Sequence, residues 1–144
     1  MQISQKTSRR RRGSTLVELS LIVAVVFCLL IGALDFGQFL YIHQALTERA
    51  REAVRYGIIT SPIDTAGVQN MVLYGQPTQP AGASGAFGLT SSMVAVSTPG
   101  AGTDDYRLTV HVYNFTYTIF SPYISGSYTG PDIWATLPLG ANYQ

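Results

Sequence analysis

The chain has a single cysteine, Cys28, and no lysine after Lys6. One cysteine excludes an intramolecular disulfide, and its place in an apolar run says nothing of redox compartment. Val26 and Phe27 stand before it, where a lipid-anchor signal would want small residues. Without a later lysine there is no phosphate-binding loop, so the GAFG and PGAG stretches read as loop glycines. Charge is also scarce. Charged residues make up 12% of the chain, about half the usual share. From Ser14 onward four basic residues (Arg49, Arg51, Arg55, Arg107) stand against eight acidic ones, a net charge of −4. That leaves no basic surface for nucleic acid, which would need several phosphate contacts. His43 and His111 lie in different elements, with no Cys, Asp or Glu at metal-ligand spacing. Asp104-Asp105, beside Gly102, reads as a solvated pair in a turn. The reading is therefore no enzyme, with no catalytic residue, cofactor site or metal site.

What the chain does have is concentrated at its N-terminus. Residues 1–13, MQISQKTSRRRRG, form a basic leader holding five of the nine basic residues. Leu19 to Leu34 then runs for sixteen residues without a charge. About 20 apolar residues cross a bilayer core, so the run spans a membrane if Glu18 or Asp35 lies near an interface. The expected span is about residues 16–40. A buried helix of a soluble protein is the competing reading, but it does not explain four arginines directly before the run. The positive-inside rule keeps those arginines in the cytoplasm and sends the C-terminus across the membrane.

Helical spacing continues past the apolar run. Phe36, Phe39, Leu40, Leu46, Ala50, Ala53, Val54 and Gly57 fall three and four residues apart. Glu48–Arg51 and Glu52–Arg55 stand at i,i+3 on the opposite face. No proline occurs until Pro62, so one helix is expected over residues 14–59, roughly 70 Å long at 1.5 Å per residue. Residues 60–144 are expected to form a small extracytoplasmic domain. In it, Asp64 to Tyr74 is a short helix and Gln76 to Gly88 an exposed loop. Three strands are expected at Ser92–Ser97, Tyr106–Ile119 and Asp132–Leu137, and residues 121–130 read as a turn. Within the second strand Leu108, Val110 and Val112 share one face, with Thr109, His111 and Tyr113 on the other. Asn114-Phe115-Thr116 has a glycosylation sequon's pattern but falls inside this strand reading. The fold class is α+β, a long transmembrane helix continuing out of the membrane and packed on a small antiparallel sheet.

The sharpest local feature is the junction RRRRGSTLVELSLIV, where glycine closes the basic run and a glutamate follows five residues on. A carboxylate in an apolar helix costs on the order of 2.5–3.5 kcal/mol near the bilayer centre, so Glu18 needs either a partner or an interface to snorkel to. Signal peptidase cleavage after Ala33 is a competing route, but Ile31 suits it poorly and the cut would discard the apolar helix. Ser20, Ala24, Cys28 and Gly32 form a row of small residues at i,i+4 that would let another helix approach closely.

The stretch from Gly13 to Gly57 resembles the N-terminal signature of TadE-like proteins, minor pseudopilins of tight-adherence (Tad) pili within the type IV pilin superfamily. The resemblance rests on Gly13, Val17-Glu18, Asp35-Phe36-Gly37, Gln44-Ala45-Leu46-Thr47 and Ala53-Val54-Arg55-Tyr56-Gly57. Looser likeness continues at residues 70–75, 88–90 and 110–112. It implies cleavage by a prepilin peptidase between Gly13 and Ser14. Glu18, fifth in the shortened chain, would then pair with the new amine of its own or a neighbouring subunit. It further implies a place in the bacterial cytoplasmic membrane, with other pilins, pseudopilins and the inner-membrane assembly platform as partners besides the lipid bilayer. The expected role is in pilus assembly, adherence and biofilm formation. Leu19 stands where major Tad pilins carry tyrosine, which points to a minor component, and the chain has no room for the large extra domain of TadG-type relatives. The alternative function is a signal-anchored periplasmic binding module that keeps its leader and works outside any pilus.

Overall fold

The computed structural model describes residues 13–60, 62–119, 121 and 126–139, together with the helical backbone from Thr7. Helix α1 runs unbroken over Thr7–Ile59, 53 residues or about 80 Å. It begins earlier than the expected start at Ser14. Arginine is a good helix former, and a lone glycine at position 13 costs only about 1 kcal/mol against alanine, so the backbone winds through the basic stretch. After a short connection comes α2 (Thr65–Tyr74). Its start is fixed by Asp64, whose Oδ1 accepts the Gly67 N–H at 2.9 Å, and Gly75 closes it in the left-handed conformation.

Five short strands follow among the described residues. β1 (Val94–Ser97), β2 (Arg107–Val112) and β5 (Ile133–Pro138) form an antiparallel sheet in the order β1-β2-β5, while β3 (Thr116–Thr118) and β4 (Ser127–Thr129) make a separate hairpin. The register pairs Val110 with Val96 on one side and Ala135 on the other. Leu108, Val110 and Val112 all point inward and are fully buried, as the alternation in the sequence requires.

Two expectations about strands are corrected. The stretch Tyr106–Ile119 is not one strand, because Asn114 adopts φ 54° and ends the ladder between β2 and β3. Asparagine tolerates this left-handed turn where most residues do not. The sequon residues therefore lie at a break between strands. The segment read as a turn over residues 121–130 contains β4, which pairs Tyr128 with Tyr117.

The core lies between the distal half of α1, helix α2 and the inner face of the three-stranded sheet. Leu46, Ala50, Ala53 and Val54 supply the α1 side, Val68 and Val72 the α2 side. Gly57 is where helix and sheet come closest, since a Cβ there would overlap Leu108 and Val68. Gln69 ties α2 to the sheet by donating from Nε2 to the Ser91 carbonyl at 2.8 Å and the Val94 carbonyl at 2.9 Å. The buried stripe of α1 stops short of its expected upper end. Phe36 and Leu40 remain exposed, because the three-stranded sheet packs lower on the helix, and only Phe39 of that group is half-buried. Glu48 and Arg51 form the expected ion pair at 2.9 Å. Glu52 and Arg55 form none among the described residues.

Candidate functional site

The N-terminal half of α1 has no protein around it. Every residue from Gly13 to Leu30 is exposed, and twelve large apolar side chains between Leu16 and Leu34 stand at 42–69% exposure. They point to all sides of the helix, not along one stripe. A helix apolar all round needs an apolar environment all round, and a bilayer supplies that where a single partner helix would cover only one face. Gly13–Ile59 is the one segment among the described residues long and apolar enough to cross a membrane.

Two carboxylates bracket this stretch. Glu18 and Asp35 are seventeen residues apart, about 26 Å along the helix axis, close to the roughly 30 Å thickness of a hydrocarbon core. Glu18 lies one helical turn beyond Ser14, and Gly13, Ser14 and Glu18 are all exposed. A side chain built on Gly13 would meet nothing within 4 Å, so the junction is open to another protein. Ser20, Ala24, Cys28 and Gly32 line the bare helix in a row; Ser20 Oγ donates to the Val17 carbonyl at 2.8 Å.

Asp35, at the far end, is met by the folded domain. Its Oδ2 accepts the backbone N–H of Ser121 at 3.2 Å. One turn on, Phe39 contacts Tyr117 of β3 at 4.8 Å between ring centroids, and Tyr117 stacks on Tyr128 of β4 at 6.0 Å. Tyr41 meets Phe87 edge-on at 6.0 Å. Aromatic rings thus gather just past the apolar run, where aromatic belts sit in membrane proteins. The sequence reading missed this collar, because β4 was unrecognised and Tyr117 belonged to a strand read as continuous with β2. The aromatic residues of positions 36–41, just beyond a charge-free run, were the available signal.

Residues 13–55 match the family model of TadE-like protein. That N-terminal segment is similar to TadE-like proteins. The matched segment contains both carboxylates, the glycine of the junction, and the first two core turns of the distal helix. No curated protein and no solved structure matches the chain. The segment similar to TadE-like proteins coincides with the part of the helix long and apolar enough to span a membrane, which is consistent with a membrane-anchored component of a Tad system.

Proposed function

We propose that this chain is a TadE-like minor pseudopilin, cleaved between Gly13 and Ser14 by a prepilin peptidase and acting in the assembly of Tad-type pili, and through them in adherence and biofilm formation. In this reading the arginines stay in the cytoplasm, the domain of residues 60–144 lies outside, and the span contacts other pilins and the inner-membrane assembly platform. The observation that carries it is the bare helix from Gly13 to Leu30 with its one carboxylate a turn from the junction. Removing the leader would create an amine at Ser14 within reach of Glu18. Pairing of that amine with the glutamate of the same or a neighbouring subunit would neutralise both charges in a water-poor site and set axial register between subunits.

The test is Glu18→Gln in a strain lacking the natural copy. Hydrogen bonds involving charged groups contribute about 1.5–3 kcal/mol, and removing one partner in a buried site costs more, enough to weaken each lateral contact tenfold or more. Membrane insertion should remain normal, while surface pili and co-purification with pilus-machine proteins fall. Normal pili and normal recovery of the complex would strip Glu18 of this role and favour a glutamate that only snorkels to the interface.

A further inference from the structure

Among the described residues, no strand pairs with the outer edge of β5. Tyr106 and Leu139 form a hydrogen-bonded pair, with the Leu139 N–H donating to the Tyr106 carbonyl at 2.9 Å. Counting back along the register, Leu137, Ala135 and Ile133 turn their backbone groups toward β2. The opposite ladder agrees, since the Tyr113 N–H reaches the Met93 carbonyl at 3.0 Å on the β1 side. The N–H and C=O groups of Trp134 and Thr136 therefore point away from the sheet. Pro138, which has no N–H to offer, occupies the next outward position, as prolines on edge strands do.

This edge does not face bare solvent alone. It forms one wall of a groove of about 340 Å³ whose other wall is α1, with Val54, Arg51 and Arg55. That volume falls within the range of roughly 300–1,000 Å³ usual for ligand clefts. Three of the four arginines beyond Ser14 lie at positions 49–55. Arg49 turns the other way, donating to the Val72 carbonyl at 3.4 Å. Arg51 shares its charge with Glu48, and Arg55 has no acidic partner among the described residues. A cationic groove has thus been built into an otherwise acidic segment. Trp134 also lines it; its indole, 61% exposed, stands on the outer face of the sheet, where the His111 ring stacks on it at 3.5 Å and 9°. His111 is itself oriented by Asp132, Nε2 to Oδ2 at 3.0 Å.

An unpaired strand edge, two arginines alongside it and a braced aromatic are the components of strand addition: backbone bonds give affinity, and the flanking side chains select sequence. We propose that β5 docks an extended acidic segment of a partner protein as an added strand, its backbone on Trp134 and Thr136 and its carboxylates on Arg51 and Arg55. This goes beyond the pseudopilin reading and does not depend on cleavage after Gly13.

Trp134 is the only tryptophan, so its emission reports on strand β5. The full chain in detergent micelles is titrated with a blocked peptide of alternating Glu and Val, and with the matching Lys and Val peptide. The acidic peptide should shift the emission saturably, with affinity falling as salt rises. Arg51→Glu combined with Arg55→Glu should weaken it roughly tenfold or more. Thr136→Pro removes one outward N–H without touching the β2 ladder, and should weaken binding while leaving the thermal melt in place. If that variant melts early, the arginine pair decides. Equal binding of both peptides, no saturable response, or binding unchanged in the variants would overturn the proposal. So would self-association of the chain that Thr136→Pro abolishes, which would give the edge to a second copy.

Discussion

Gly130 donates its N–H to the Phe115 carbonyl at 2.8 Å, and a Cβ at that position would overlap the Phe115 ring. Phe115 is the largest fully buried side chain among the described residues, so it cannot swing aside without opening the core. Gly130→Ala should therefore destabilise the domain by about 1–3 kcal/mol, read as a lower melting temperature of the full chain in detergent. A variant melting like its parent would mean that the ring has room to move. His43 predicts the opposite sign. Its ring lies beside Phe39, with Nδ1 buried and without a partner among the described residues, and a buried polar atom without a bond costs about 1–3 kcal/mol. His43→Phe should hold or raise the melting temperature, and a clear drop would show that the nitrogen is satisfied. At this scale the sequence was legible where periodicity governs. Leu46, Ala50, Ala53, Val54, Leu108, Val110 and Val112 all fall on the buried face that spacing assigns them. Phe115 was not legible, because its burial depends on a turn at Asn114 and on a glycine fifteen residues away.

Helix α1 could be read from sequence almost whole, since a stretch free of proline with sustained three–four spacing has no competing structure. The segment Tyr106–Ile119 could not. β-branched and aromatic residues fill it from end to end, and propensity does not reveal that Asn114 takes a positive φ and sends β3 off toward Phe39 and Asp35. The short β4 was hidden in the same way, among Gly, Ser and Tyr residues that also suit a turn. At this scale the packing of α1 on the sheet has a direct test. Leu46 is fully buried, and Leu46→Asp would bury a charge without a partner, at a cost of several kcal/mol. The full chain carrying it should lose its cooperative melt and the near-ultraviolet signal of its aromatic core, while α1 stays helical in the micelle. An unchanged melt would place Leu46 outside the core.

For the molecule as a whole, the domain hangs beneath an aromatic collar at one end of a bare apolar helix, and the basic residues before Ser14 mark the other end. The proposed orientation makes a reporter fused after Gln144 active only outside the cytoplasm. Replacing Arg9 to Arg12 with glutamine should lower the fraction inserted that way; a reporter active in the cytoplasm would reverse the topology. The central claim is that the basic stretch is removed and Ser14 becomes the first residue, one turn from Glu18. Intact mass and N-terminal sequencing of the protein purified from membranes of cells that hold the peptidase test it most directly. The account predicts a chain beginning at Ser14. A chain that keeps Met1, or one that begins near Leu34, would contradict it.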